Sequence, residues 1–420
     1  NYVLEGNNTS NQKVCKVDDK EYAKFTDPTT YLNTPNVSII GEDMTETIIT
    51  NKLPDQYKPD GGNIAEGIGQ GDVLCLQSGA TNTYMQNFTI KSAMGDAKGR
   101  DIELNDQSNK TICKDMCLWG YQDTYVSNSD RSRFYFEGGL LRGNTDYLCG
   151  KGDVFYNNVN LQMCGTGYLA VPSKPTKYGY IFKDCTIKAE KSGIDGNYTL
   201  GRPWGSGTPV ALFIDTKMEA QPSAIGWNEM GDGWPARFAE YNSMTSKGTV
   251  IDLSGRKKTF GDGHANNPVL TKEEAALYTL ATVMGSTDNW DPTALTEQAS
   301  APQNVLISEG KMTWDDSQYV LLWAVCKDGK VVDFTTENHY DNADSTSKWS
   351  VRAANEMGGL SEIAEAGTAS AIKEVNQTMD VVATAYYTLD GTRVNANYTG
   401  TVIKVMTMTD GTVKTVKMNR

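Results

Sequence analysis

Between residues 85 and 187 one phrase recurs: two residues, a turn-forming or acidic residue, two more, then Ile or Leu. It reads MQNFTI at 85–90, CKDMCL at 113–118, YFEGGL at 135–140, YNNVNL at 156–161 and FKDCTI at 182–187. The third positions, Asn87, Asp115, Glu137, Asn158 and Asp184, are separated by 28, 22, 21 and 26 residues. A strand unit recurring near this period, with glycine-rich connections and almost no helical periodicity, predicts an all-β chain of stacked parallel β-helix coils. On periodicity alone an antiparallel β-sandwich remains the alternative. The exception to the strand pattern is TKEEAALYTLATVMG at 271–285, where Thr271 and Glu274 make a capping box and the apolar spacing predicts one amphipathic helix. Such a helix would cover the open end of a β-helix, whose last coil exposes strand edges.

Beyond a polar linker near 293–303, the pattern changes to short alternating strands over 304–367: NVLIS, KMTW, YVLLWAVCKDG, KVVDFTT and WSVRAANEMGG. The last fifty or so residues contain YYTLDGTRV and DGTVKTVKM, which read as hairpins around Asp-Gly turns. The expected organisation is therefore a β-helix over 1–295, a small β-sandwich over 304–367 and a hairpin-rich segment over 368–420.

Composition narrows the function. The 420 residues carry a formal net charge of −13, which argues against nucleic acid as a partner, because nucleic acids recruit basic surfaces. The apolar fraction of 39% is that of a soluble globular protein, and the longest apolar run, from Tyr319 to Cys326, is far too short to span a bilayer. The chain opens on Asn1 without a signal-peptide pattern, the expectation for a mature or trimmed form. The eight cysteines, Cys15, Cys75, Cys113, Cys117, Cys149, Cys164, Cys185 and Cys326, form no paired CxxC knuckles, so no metal site or cofactor is expected. Most sit in apolar strand segments, where cysteine packs as a small hydrophobe.

The chemistry concentrates in GYQDTY at 120–125, GNTDYLCG at 143–150 and LGRPW at 200–204. These segments place two acids and a guanidinium, Asp123, Asp146 and Arg202, in three parts of the strand-rich stretch. Two carboxylates in one cleft do not both ionise cheaply, so one keeps its proton while an adjacent arginine holds the other charged. The two histidines, His264 and His339, lie outside any Gly-x-Ser-x-Gly context, so a Ser-His-Asp triad is not expected. Asp123 precedes Asp146 by 23 residues, about one coil, which would stack them on neighbouring rungs.

In order and wording the three segments closely resemble the signature motifs of the pectin methylesterases, and NVSIIGEDMTETIITNK at 36–52 resembles an early coil of that family. The resemblance covers roughly 36–290. It implies a right-handed parallel β-helix of the pectin-lyase type that removes methyl esters from galacturonan without a cofactor. Asp146 would be the nucleophile, oriented by Arg202. Asp123 would be the acid and then the base, Gln122 an oxyanion donor, and Trp204 a platform for a sugar ring, with Tyr147 and Met230 as further subsite contacts. Family members carry another oxyanion glutamine about one coil before the QDT glutamine; counting back 22 residues from Gln122 reaches Arg100, and the nearest glutamine is Gln107. Arg100 is thus expected among the substrate-binding groups, and the usual N-terminal coil is expected to be missing or rewritten before Tyr31. Residues 304–367 look like a short fibronectin type III domain, and the C-terminal segment is similar to those of exported Bacteroidetes proteins. The implied partner is methylated homogalacturonan, met by a monomer that is secreted, periplasmic or displayed on a bacterial surface. The competing readings are a galacturonan lyase or hydrolase and a non-catalytic carbohydrate-binding β-helix.

Overall fold

The computed structural model describes residues 2–17, 20–52, 72–96, 100, 102–293, 299–317, 320–355, 359–368, 381–389, 391–395, 397–408 and 413–419. Its first compact unit, chiefly 1–299, is a parallel β-helix. One face is an eight-stranded ladder running from Ser38–Ile40 through Tyr84–Gln86, Thr111–Lys114, Arg133–Glu137, Asp153–Asn157, Tyr180–Lys183 and Val210–Ile214 to Arg237–Tyr241. Every adjacent pair in it is parallel. The two other faces belong to a fourteen-stranded sheet, joined where Leu140–Gly150 and Asn160–Pro172 run through both. Strand side chains alternate between the interior and the outside. In-register inward residues therefore stack from coil to coil: Phe182 lies flat between Tyr156 (centroids 4.5 Å apart) and Phe213 (4.3 Å), all fully buried.

The recurring phrase ends strands of the eight-stranded face with a left-handed turn. Asn87, Asp115, Asn158, Asp184, Asp215 and Asn242 all have φ between 48° and 58°. Asn and Asp tolerate this region best among residues with a Cβ. Glu137 does not belong to the set, contrary to the sequence expectation: it pairs with Lys114 and Asn157 inside the ladder, and Gly138 (φ 63°) takes the turn position. Glycine is required in that turn, since a Cβ on the next residue, Gly139, would come within 2.2 Å of the Met116 carbonyl oxygen.

The N-terminal stretch contributes two strands to the β-helix. Tyr2–Leu4 pairs in parallel with Ile48–Asn51 and Thr30–Leu32 with Leu74–Leu76, while an antiparallel hairpin, Gln12–Val17 with Lys20–Thr26, is inserted between them. The expected single helix is also corrected. The Thr271–Glu274 capping box forms, but the helix stops after Ala275, and extended Thr279 caps a second one, Leu280–Met284. These helices do not close an open end. Ala275, Val283 and Met284 pack with Leu270 and Trp290 on the outward side chains of the eight-stranded face, among them Tyr135, Phe155, Ile181 and Leu212.

Strands between Leu306 and Thr368 form two small sheets of four and five strands, with buried Trp314 and Trp323 packed edge to face. Residues 381–419 add a four-stranded antiparallel sheet. The Asp410–Gly411 turn read from sequence lies outside the described residues, as does Asp390 of the other. Among the described residues no helix is long and apolar enough to cross a membrane.

Candidate active site

Asp123 and Asp146 come together because their coils are in register. Gln122 bridges in parallel to Thr145, and the Asp123 amide donates to the Thr145 carbonyl at 3.2 Å. Both acids are left-handed, φ 59° and 53°. At Asp146 the cause is an irregularity in Leu140–Gly150, whose pairing with Asn160–Pro172 shifts register between Gly143 and Thr145 and again between Thr145 and Leu148. A bulge of this kind re-aims a side chain out of the ladder, and left-handed non-glycine residues gather at functional sites. Gly143 permits it: a Cβ there would lie 2.2 Å from the Cβ of Tyr147.

The two acids have different electrostatic surroundings. Arg202, just beyond strand Thr199–Gly201, donates from Nε to Asp146 Oδ1 at 3.0 Å and from Nη2 to Oδ2 at 2.6 Å. Its guanidinium lies over the Tyr168 ring, 3.9 Å from the centroid. This two-pronged pairing fixes the direction of the carboxylate. Asp123 is equally buried, 7% exposed, yet receives a single arginine contact, from Arg100 Nε to Oδ2 at 3.1 Å, along with a long contact from the Cys149 thiol at 3.9 Å. Burial is the main influence on Asp123 and pushes its pKa up to about 7, with the Asp146 charge adding to the rise and Arg100, Cys149 and Arg202 opposing it. One carboxylate is thus clamped by a guanidinium while the other, its pKa raised to about 7, retains a proton near neutral pH, the inequality that nucleophilic attack and leaving-group protonation need.

An apolar floor adjoins the acids. Val126, Cys149 and Val171 occupy one position of three neighbouring coils, pack with Ile102, and carry half-buried Tyr168, Trp204 and Met230 at their edge. The structure therefore gathers Asp123, Asp146, Arg202, Arg100, Trp204 and Met230, with Gln122 half-buried beside them on the loop before Asp123. Tyr147 is not among them: fully buried, it belongs to the interior cluster, because the residue after outward-facing Asp146 points inward. Gln107 lies just past strand Leu104–Asp106, at the end away from Asp123, so Arg100 is the group one coil before the site. Sequence reasoning missed Tyr168 and Cys149. Tyr168 pairs with Thr145 in the ladder, 23 residues on, so the same one-coil count that linked the acids leads to it. His264 stacks on Trp234, centroids 3.6 Å apart. The seven cysteines whose side chains are described are buried and, among the described residues, form no disulfide. Among the described residues no cluster of three or more His, Cys, Asp or Glu side chains is arranged to hold a metal ion.

A family model described as Pectinesterase matches residues 6–287. Pectinesterase A of Emericella nidulans is 28% identical over 240 residues, covering 55% of this chain and 68% of its own length. The probable pectinesterase A of Aspergillus flavus is 30% identical over 217 residues, covering 48% and 63%. Against that protein and two curated relatives from Arabidopsis thaliana, the chain spans 63%, 26% and 60% of the relative's length. Among solved structures, pectin methylesterase from Yersinia enterocolitica is 23% identical, with 63% of this chain and 92% of that one covered and a TM-score of 0.49.

Proposed function

Because the chain belongs to the pectinesterase family, we propose that it hydrolyses the methyl esters of galacturonosyl residues in pectin, releasing methanol and leaving carboxylates. The observation that carries this reading is the unequal pair of acids: Asp146 clamped by Arg202 at 3.0 and 2.6 Å, and Asp123 on the adjoining coil with its pKa raised to about 7.

Asp146, already ionised and aimed, attacks the ester carbonyl, and Gln122 donates to the oxygen as it becomes negative. Collapse of that intermediate expels the methoxy group, which takes the Asp123 proton and leaves as methanol. Asp123, now a carboxylate, takes a proton from water, whose oxygen adds to the carbonyl of the Asp146 mixed anhydride. Asp146 departs as a carboxylate, Asp123 is again protonated, and the sum is ester plus water to acid plus methanol. Trp204 and Met230 on the apolar floor receive the sugar faces, a contact open to methylated, nearly neutral chain. We assign this activity to residues 1–295 and treat 304–367, fibronectin type III-like, and 368–420 as appended modules of an exported bacterial monomer.

The test is methanol release from highly methylated pectin by the wild type and Asp146→Asn, each with and without a chelator. Chelator-resistant release in the wild type, reduced at least about a thousandfold in the variant, is the expected result. Chain shortening or unsaturated ends in place of methanol would replace the esterase reading with a lyase or hydrolase.

A further inference from the structure

Arg100 stands where the family resemblance places a neutral oxyanion glutamine, yet its guanidinium is spent on Asp123, Nε to Oδ2 at 3.1 Å, from a position 36% exposed to solvent. Asp123 is faced from three elements. Arg100 approaches from the segment before strand Leu104–Asp106, Asp146 and the Cys149 thiol from Leu140–Gly150, and Arg202 from the turn after Thr199–Gly201. Two of these groups are cations, one is an anion, and the thiol is held neutral by burial, its pKa raised well above the ordinary value.

That arrangement changes character during the reaction proposed above, on which this inference rests. Before attack, Asp146 is an anion and opposes the ionisation of Asp123. When Asp146 becomes the mixed anhydride its charge is gone, and Asp123 has just lost its proton to the departing methoxy group. The site then holds one carboxylate and two guanidinium groups, so its total charge of +1 is the same before and after methanol leaves. Arg202 has lost its ionic partner to acylation, and Arg100 is the cation already in contact with Asp123. We infer that Arg100 is a positioning residue for deacylation: it keeps Asp123 unprotonated and aimed until water attacks the acyl-enzyme. Without it, a buried carboxylate in a site of no net charge recaptures a proton from solvent and ceases to be a base.

The role is distinct from oxyanion donation, which would speed the first turnover and every later one alike. The balance is unchanged by the assignment: water supplies the proton that returns to Asp123 and the oxygen that enters the product, and Arg100 exchanges neither.

The test compares wild type, Arg100→Gln and Arg100→Lys in rapid-quench and steady-state methanol release from highly methylated pectin, from about pH 5 to about pH 9, spanning the raised Asp123 value of about 7. Arg100→Gln is expected to give a burst of about one methanol per enzyme below neutral pH, followed by a steady rate roughly tenfold below wild type. The basic limb of its kcat/KM profile should move up by about one pH unit, the effect of removing a cation beside a carboxylate. Arg100→Lys should restore linear release and the wild-type limb, because the charge is what acts. Linear release by Arg100→Gln with an unmoved limb would overturn the inference, and so would loss of its first turnover, which would place Arg100 in acylation. A burst in Arg100→Lys equal to that of Arg100→Gln would also count against it. Wild type that releases no methanol would remove the esterase reading and this inference with it.

Discussion

Asp123 is a group whose usefulness and whose effect on stability have opposite signs. In the unfolded chain its pKa lies near 3.8; in the folded protein it is about 7. Between those values the folded protein binds more protons than the unfolded chain, so Asp123 makes stability fall as pH rises through this window. The destabilisation is complete above pH 7 and absent below the unfolded value. Asp123→Asn removes it while keeping the shape of the side chain, so this variant should melt higher than wild type at about pH 8, by about 1–3 kcal/mol. The difference should close as the pH is lowered toward 4, measured by calorimetry across that range. A variant less stable than wild type at high pH would mean that the Arg100 contact outweighs the burial of the charge. Which residues were readable at this scale follows from what spacing encodes. Asp123, Asp146 and Arg202 were legible because their motifs recur as wording and their separation matches a coil. Spacing also led to Arg100, but it specifies which coils are neighbours and not what a long side chain touches, so the contact with Asp123 was out of reach. Tyr147 was misread for a simpler reason: next to an outward acid in a strand, it had to face the core.

The unit of this fold is the strand-and-turn phrase, and its turn residue does two separable things: it adopts the left-handed region and it offers a short polar side chain. Asn158 distinguishes them. It is exposed with φ 54°, and its amide donates to the Lys183 carbonyl of the next coil at 2.9 Å. Asn158→Ala places a Cβ residue without a stabilising polar group in that region and should lose about 1 kcal/mol in thermal or urea unfolding. Asn158→Gly should stay within a few tenths of a kcal/mol of wild type, because glycine takes the conformation freely even as it adds freedom to the unfolded chain. Equal losses in the two variants would assign the position to side-chain bonding instead. The same logic explains why the sequence phrase slipped at YFEGGL. Composition put the acid Glu137 at the turn, whereas the backbone needed Gly138 there, one residue later. The helix over 271–285 failed as a single element because Thr279, a good cap, restarts the hydrogen bonding in its middle, and periodicity does not register such an interruption.

For the whole molecule the quantity that matters is charge. The chain carries a net −13 over 420 residues, and on the proposed reading its site takes a nearly neutral polymer and returns a polyanion. Hydrophobic contact with Trp204 and Met230 does not distinguish the two forms strongly, since both present the same ring faces. The field does: each ester removed adds a charge that the protein repels, so product leaves more readily than substrate binds. Repulsion between exposed charges is screened over about 30 Å at ~0.01 M salt and about 8 Å at ~0.15 M. Inhibition by demethylated pectin should therefore be weak at low ionic strength and strengthen several-fold as salt rises over that range, while the KM for highly methylated pectin changes little. The check is steady-state methanol release with added pectate at a series of sodium chloride concentrations, calcium being excluded so that pectate does not gel. Inhibition that weakens with salt would mean that the two arginines beside the acids, Arg100 and Arg202, govern polyanion binding more than the acidic surface does. In that event the enzyme would hold its product, and successive esters on one chain would be removed in blocks.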